Sequence, residues 1–172
     1  MTATFKNSDY SSEKLSKSVL AIIKETFLCS MATVDPNGGS HINTAFFCFD
    51  ENLDLYFVSD WRTKHCKNFS KRPTVAMTIF NSHQKWGQSL RGIQLFGECF
   101  ATDAEEARKA EGIYGARFPG YAKYRKSMSE KERQQSPHHF FAFRTKSVKV
   151  FDEDNLGEEN FVLAKVIKER NG

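Results

Sequence analysis

The chain of 172 residues lacks several features that would assign it to a broad class of protein at once. No apolar run approaches the roughly 20 residues that a membrane-spanning helix needs, and the first residues contain no apolar stretch typical of a secretory signal. The four cysteines, Cys29, Cys48, Cys66 and Cys99, are isolated and show no CxxC or metal-like spacing. We therefore expect a reduced, cytoplasmic protein with no membrane partner.

The nucleotide-binding loops of the common α/β folds are missing as well. The sequence contains no GxGxxG or Walker-type segment, which disfavours the folds that are built on those loops. The net charge of +4 comes from 25 basic and 21 acidic residues spread along the chain, so no long nucleic-acid-binding stripe is expected. A local site for a small anion stays compatible with this charge.

The residues that are present fit one folded domain. Apolar residues make up 40% of the chain and 16 residues are phenylalanine, which is enough to build a core in a chain of this length. We expect a single domain over residues 1–172, in which the polar residues 1–11 are disordered.

Alternating apolar residues separated by turn signals predict a mainly β protein with additional helices. Helical spacing begins after Ser11 or Ser12, and Thr102–Glu105 has the pattern of a capping box that starts a helix ending near Phe118. The expected strands are 28–34, 40–49, 53–58, 74–80, 90–101, 139–144, 147–152 and 161–166. Gly97, inside one of them, marks a bulge, a barrel corner or a close approach of a ligand. Six or more antiparallel strands with peripheral helices indicate a small barrel.

The segment Ser59–Asn68 follows a strand and reads as a helix start with an excess of positive charge. Arg62, Lys64 and Lys67 crowd its first turns, where the positive end of the helix dipole disfavours cations. An anionic partner would offset that repulsion. Backbone N–H groups, the Thr63 hydroxyl and the cationic side chains together suit a phosphate.

A second interpretation of the same segment is a solvated helix start whose basic side chains extend into water. Ser59 or Asp60 can cap the helix through a side-chain oxygen. Short basic clusters at helix starts are common, so the residues alone leave both interpretations open.

Other residues that could carry chemistry have simpler structural explanations. His138 and His139 are adjacent, so their side chains diverge on a strand, and no acidic partner stands at metal-ligand spacing. No metal site is expected. The pair His65-Cys66 suggests an activated thiol, but no third orienting residue can be named, and a buried helix residue is the preferred interpretation of Cys66. No catalytic residue is assigned.

The order of residues after the basic corner is similar to that of a known family. Thr63-Lys64, followed by Asn68-Phe69 and then Arg72–Ala76, resembles the T/S-x-K-x-x-N-hydrophobic…P-x-V-A pattern of the pyridoxamine 5′-phosphate oxidase-like, FMN-binding split-barrel family. The resemblance extends from Phe27 to Ala101 and continues more weakly after that.

Two flanking segments carry the same resemblance. The hairpin segment Ala32–Gly38, continued through His41 and Phe46-Phe47, is similar to the first two strands of that family. The segment Leu90–Gly97, which follows Trp86, resembles a later family strand that ends in glycine. Three motifs in the family's order make the resemblance more specific than any one of them.

The resemblance implies an antiparallel six-stranded split barrel that forms a homodimer, with two FMN sites at the subunit interface. The flavin would pass electrons to or from an unidentified small molecule, which would make the chain an FMN-dependent oxidoreductase. The implied FMN contacts are Arg62, Thr63 and Lys64 for the phosphate, Phe57, Val58 and Ser59 for the ribityl chain, and Asn43, Thr44, Ala45 and Gln94 for the ring.

Several positions depart from the oxidase that gives the family its name. Cys48 stands where the true oxidase has a lysine, and Gly92 replaces a flavin-contacting glutamine. The run Tyr114-Gly-Ala-Arg117 is one residue short of the Tyr-x-x-x-Arg substrate clamp, and the C-terminal Arg-x-His-x-Arg signature is absent from Lys168–Gly172. We therefore do not expect oxidation of pyridoxamine phosphate.

A barrel that holds flavin, haem or another tetrapyrrole without turnover is the alternative function. In that case His41, His65, His83 or the pair His138-His139 would supply an axial ligand. A nucleic-acid-binding barrel that uses exposed aromatic residues is a third hypothesis.

Overall fold

A computed structural model describes residues 1–168 of the chain. The strands are β1 (Thr4–Lys6), β2 (Leu28–Val34), β3 (Ser40–Phe49), β4 (Leu55–Asp60), β5 (Thr74–Phe80), β6 (Arg91–Ala101), β7 (His138–Asp152) and β8 (Phe161–Ile167). The helices are α1 (Ser12–Glu25), α2 (Lys64–Lys71), α3 (Ala104–Arg117), α4 (Pro119–Ser127), α5 (Glu130–Gln135) and α6 (Glu153–Leu156).

Six of the strands close into an antiparallel barrel. Their order is β7-β4-β3-β2-β5-β6, and β6 pairs with β7 to complete the ring. With 15 residues, β7 is long enough to pair with β4 near its start and with β8 near its end. The strands β8 and β1 extend the sheet beyond the barrel. The predicted six-stranded barrel with peripheral helices is confirmed.

The barrel interior and one face of α1 form a single apolar core. Val75, Met77 and Ile79 alternate along β5 and belong to this core, where each is at most 2% exposed. Leu15 and Val19 place the apolar stripe of α1 in the same cluster. Burial of each such side chain contributes roughly 1.5–3 kcal/mol, so the helix and the barrel stabilise each other.

The N-terminal segment differs from its prediction. Instead of being disordered throughout residues 1–11, the chain forms β1 and pairs with β8. Phe5 is buried in the core, and its backbone N–H donates to Ser12 Oγ at 2.8 Å. A three-residue strand is too short to show alternation, and its pairing partner lies at the other end of the sequence.

The strand that leads into the basic corner begins and ends later than predicted. Leu53 has a φ of 58° and lies in a turn rather than in the expected strand 53–58. The Asp50 carboxylate closes this turn by accepting two backbone N–H groups at 3.0 Å each. As a result β4 starts at Leu55 and continues to Asp60, so the corner itself is confined to residues 61–63.

The predicted strands 139–144 and 147–152 are one continuous strand, β7. Its pairing with β6 shifts register between Phe96 and Gly97, which accommodates an extra residue on β7. The interruption in the sequence pattern therefore marks a bulge and not a turn. Residues 169–172, which belong to the C-terminal segment compared above, lie outside the described residues.

The helix α3 covers part of the outer face of the barrel. Asp103 caps it by accepting from the backbone N–H groups of Glu105 and Glu106 at 2.9 Å each. Tyr114 and Ala110 on α3 belong to a second apolar cluster with residues of β3, β4 and β7. The helix is thus fixed to the barrel through this second cluster.

Candidate functional site

The basic corner joins β4 to α2 through a tight turn. The N-cap residue of α2 is Thr63, whose hydroxyl donates to the Asp60 carbonyl at 2.8 Å and makes no cap hydrogen bond. The expectation that Ser59 or Asp60 caps the helix is therefore wrong. The Asp60 carboxylate instead accepts from the Arg62 backbone N–H at 2.8 Å and from its guanidinium.

This use of the side chains leaves the first turn of α2 without an internal acceptor. Within residues 1–168, the backbone N–H groups of Lys64, His65 and Cys66 have no hydrogen-bond partner, and the first intrahelical bond runs from Lys67 to Thr63. No acidic residue stands in the first turn. The N–H groups and the helix dipole together favour an anion at this position.

Two exposed cations stand beside the open turn, each paired with a carboxylate of the chain. Arg62 Nη2 lies 2.6 Å from Asp60 Oδ2. Lys64 Nζ lies 3.5 Å from Oδ2 of Asp35, which belongs to the turn between β2 and β3. Both basic side chains are more than half exposed, at 59% and 55%. Exposed pairs contribute little stability, so an incoming anion can replace either carboxylate at small cost.

The two carboxylates are held in their ionised form. Hydrogen bonds from the Arg62 side chain lower the pKa of Asp60 to about 2. The pKa of Asp35 is lowered mainly by the backbone N–H of Gly39, with a smaller contribution from Lys64. The cationic corner therefore keeps its internal counterions at neutral pH.

Buried behind the cations lies His65. Its Nε2 atom is 2.8 Å from Ser59 Oγ and 3.2 Å from Thr63 Oγ1. The Thr63 hydroxyl has one proton, which it already donates to the Asp60 carbonyl, so it accepts the hydrogen bond from His65 Nε2–H. Neutral His65 is therefore the tautomer that carries its proton on Nε2. Burial, and to a smaller extent His41, lower the pKa of His65. The Ser59 hydroxyl then has its proton available for another acceptor.

A row of side chains on β3 continues from His65 away from the corner. The rings of His41 and His65 are stacked at 6.3 Å with an interplanar angle of 7°. Asn43 stands two residues further along the same face of β3, and its Oδ1 atom is buried with no partner among the described residues. A buried unpaired acceptor is costly, and a ligand donor would satisfy it.

The other predicted contacts are placed differently. Thr44 lies on the outer face of β3 with Oγ1 3.4 Å from Ser30 Oγ, whereas Ala45 packs against the core. Phe57 is fully buried and packs in the main apolar core. Val58 packs against the second apolar cluster.

Gln94 does not join the corner. It lies exposed on β6 and lines an outer groove of about 260 Å³ with Thr78, Ile42 and Phe96. The structure thus brings together Ser59, Thr63 and His65, places Arg62 and Lys64 around them, and leaves Gln94 on the outer face of the barrel.

The stacked histidines are a feature that the sequence did not indicate. No sequence pattern joined His41 to His65: 24 positions separate them, so no local spacing predicts their contact. Within residues 1–168, no three His, Cys, Asp or Glu side chains are grouped so as to hold a metal ion.

Arg117, which stands near the position of the arginine in the oxidase's Tyr-x-x-x-Arg substrate clamp, makes structural contacts. Its guanidinium donates to the carbonyls of Ile23 and Thr26 at 2.7 and 2.6 Å, where α1 ends. It also lies 5.1 Å from the ring centres of both Phe27 and Phe47. A cation at a helix C-terminus complements the dipole. Arg117 therefore ties α3 to α1 and is occupied by these contacts.

The fold and the corner define a class: small antiparallel barrels with an electropositive strand-to-helix corner. Residues 15–152 match the sequence model of the family described as pyridoxamine 5′-phosphate oxidase, which is well over half of the chain. The chain belongs to the pyridoxamine 5′-phosphate oxidase-like family, as its motifs predicted.

Individual relatives are more distant. UPF0306 protein YhbP from Escherichia coli is 32% identical over 76 residues, which cover 44% of this chain and 51% of YhbP. The chain thus spans about half the length of the curated relatives it matches.

Solved structures resemble the chain over more of its length. HutZ, the heme storage protein from Vibrio cholerae, matches with a TM-score of 0.62 at 15% identity. The match covers 76% of this chain and 89% of the HutZ chain. A NimC/NimA family protein from Clostridium acetobutylicum matches with a TM-score of 0.58 at 16% identity. The match covers 88% of this chain and 91% of the other chain. Likeness at such identity shows the fold alone. Separately, every helix within residues 1–168 is too short or too polar to cross a membrane.

Proposed function

We propose that the chain binds FMN at the corner between β4 and α2 and acts as an FMN-dependent oxidoreductase on a small molecule. The observation that carries the proposal is the first turn of α2, where three open N–H groups lie beside Arg62 and Lys64. A phosphate monoester accepts several hydrogen bonds and spreads its charge over its oxygens, so it matches this set of donors.

The residues of the corner fit the rest of the cofactor as well. Arg62 and Lys64 would hold the phosphate in exchange for their present carboxylates, and Ser59 would donate its free hydroxyl proton. Asn43 offers a buried acceptor further along β3. When bound, the flavin supplies electron transfer, and the chain supplies binding and orientation. The remaining FMN contacts of the proposal are Thr63, Phe57, Val58, Thr44, Ala45 and Gln94.

The substrate differs from pyridoxamine phosphate in this proposal. A second phosphate would need a second set of cations near the flavin. Arg117 is occupied at the end of α1, and Cys48, at the position of the oxidase's lysine, is fully buried. These two residues support a small molecule without a phosphate group as the reaction partner.

The proposal includes a homodimer with FMN at the interface. Large apolar side chains on the outer face of the barrel strands β2, β3 and β6 are exposed by 38–69%: Leu28, Ile42, Phe46 and Phe96. Soluble proteins rarely leave several large apolar side chains grouped on one face in water. Its proximity to Asn43 and Gln94, on the same strands, supports a cofactor site completed by a second copy.

Comparison of FMN with riboflavin tests phosphate recognition at the corner. The two ligands differ only in the phosphate, so FMN is expected to bind much more tightly. Replacing Arg62 and Lys64 with alanine removes two charge-assisted contacts, and we expect FMN affinity to fall about tenfold for each, since their exposure reduces the usual 1.5–3 kcal/mol. Riboflavin affinity is expected to change little.

The Lys71→Ala variant is the matched control for this titration. Lys71 is an exposed cation at the other end of α2. If the double variant and the control bind FMN as tightly as the wild-type protein, the phosphate is not held at this corner.

Haem binding is the second candidate function. His138 and His139 are exposed at the start of β7 and pair with Asp60 and Ser59 at the corner, so an available imidazole stands beside the site. A Soret band on titration with hemin, lost on replacing one histidine with alanine, would favour this function.

A further inference from the structure

We propose that a cleft on the far flank of α2 is a second small-molecule site, which takes a planar aromatic anion such as an aryl carboxylate. The cleft lies between the middle of α2, the end of β6 and the start of β7, and has a volume of about 560 Å³. Pockets for small ligands usually measure about 300–1,000 Å³. It shares no residue with the predicted FMN contacts, so this inference does not rest on the proposed function.

Four aromatic side chains line this cleft. Phe69 and Phe141 are buried at its floor, with ring centres 5.2 Å apart in an edge-to-face arrangement. Trp61 and Phe100 stand at its rim and are 56% and 44% exposed. Two large, exposed aromatic side chains that line one cleft favour a flat aromatic ligand.

Two thiols complete the apolar lining. Cys66 and Cys99 are nearly fully buried and line the cleft from α2 and β6. Burial raises the pKa of both thiols, so they stay protonated at neutral pH. A protonated thiol is a polarisable apolar surface and a poor nucleophile. The occupant is therefore held without a covalent bond.

Charge decides the class of the occupant. Lys67, exposed on α2, carries the positive charge among the lining residues, and none of the lining residues that the structure describes is a carboxylate. A negative group on the ligand would meet the Lys67 ammonium at the mouth while the ring enters between Trp61 and Phe100. A neutral ring of the same shape would lose that contact.

Isothermal titration calorimetry with 2-naphthoate tests the site, and 2-naphthamide serves as the neutral analogue of the same shape. The wild-type protein is expected to bind naphthoate with a dissociation constant below about 1 mM and more tightly than the amide. Lys67→Gln is expected to abolish the preference for the anion. Lys71→Gln, on the same helix but outside the cleft, is expected to keep it.

A blocking variant tests the location. Ala101 lines the cleft from an exposed position at the end of β6, so Ala101→Phe fills the space without entering the core. This variant is expected to bind naphthoate at least about tenfold more weakly. Thermal unfolding of Ala101→Phe, compared with that of the wild-type protein, checks that the variant folds. If Ala101→Phe does not fold, the Lys67→Gln variant still tests the proposal.

Fluorescence gives an independent readout. The chain has two tryptophans, and Trp86 is fully exposed, so the Trp86→Phe variant leaves Trp61 as the reporter at the rim. Saturable quenching of Trp61 by naphthoate would support the cleft. The proposal is overturned if the wild-type protein does not bind naphthoate, or if Ala101→Phe binds it as tightly as the wild-type protein. It is also overturned if the Arg62→Ala, Lys64→Ala double variant loses naphthoate binding, because that result would place the anion at the corner.

Discussion

His65 sits behind two cations and has no charged partner among residues 1–168, and burial makes its protonation unfavourable. Its neighbours include His41, which would repel a protonated ring. The neutral imidazole is therefore the form that the fold selects, and it links the serine and threonine hydroxyls of the corner into one hydrogen-bonded unit.

The lowered pKa of His65 predicts how stability depends on pH. The unfolded chain takes up a proton near the ordinary value of 6.5, whereas the folded chain does so at a lower pH. The free energy of unfolding should therefore decrease as the pH falls below about 6.5 and level off below the folded-state pKa. Urea unfolding at a series of pH values measures this slope.

The control for the pH effect is a change at an exposed histidine. We expect His65→Gln to reduce the loss of stability on acidification and His83→Gln, in the exposed loop after β5, to leave it unchanged. An unaltered slope in His65→Gln would mean that other groups cause the pH dependence.

Single residues also show where prediction from sequence reached its limit. The composition of residues 59–68 placed the cations correctly, because charge and helix position are local properties. Their ion pairs were not predictable in the same way, since Asp35 reaches Lys64 from a different turn. The stacking of His41 on His65 likewise depends on how β3 and α2 are packed.

Among the elements, the regular ones were predictable and the irregular ones were not. The hairpin of β2 and β3 has its predicted bounds because alternation and the segment Asp35–Gly39 both define it. The short strand β1 and the continuous strand β7 were missed, since both depend on pairing with distant strands. The N-cap was misplaced because β4 extends to Asp60.

The bulge between β6 and β7 has an energetic consequence at Gly97. A Cβ atom there would lie 2.0 Å from the Arg144 carbonyl oxygen and 3.0 Å from the Phe143 ring. Backbone cannot move aside as a flexible side chain can, so Gly97→Ala should destabilise the fold by about 3 kcal/mol or more. Chemical denaturation measures the difference.

Gly112→Ala is the matched control for the bulge. Gly112 lies inside α3, where an added Cβ meets nothing within 4 Å, and alanine has the higher helix propensity. This change should stabilise the protein by up to about 1 kcal/mol. Equal effects of the two substitutions would contradict the close approach at Gly97.

For the whole molecule, the apolar outer face of the barrel predicts self-association. Ile42 is 69% exposed near the middle of that face. We expect the wild-type protein to sediment as a dimer and Ile42→Glu to sediment as a monomer, because a carboxylate buried at the interface has no partner. FMN retention should fall in the same variant if two copies build each site.

The exposed face of β8 provides the control for self-association. Ile167→Glu places the same charge on a strand outside the barrel ring, where Ile167 is 48% exposed, and should leave the dimer intact. A monomeric wild-type protein, or a dimer that survives Ile42→Glu, would show that this face is not the interface.

The absorbance spectrum of the purified protein after incubation with FMN and dialysis tests the proposed cofactor most directly. Open N–H groups and two cations at the start of α2 predict that the flavin bands survive dialysis and that the Arg62→Ala, Lys64→Ala variant loses them. A protein that is colourless after dialysis, yet gives a Soret band with hemin, would contradict FMN binding and support the haem function instead.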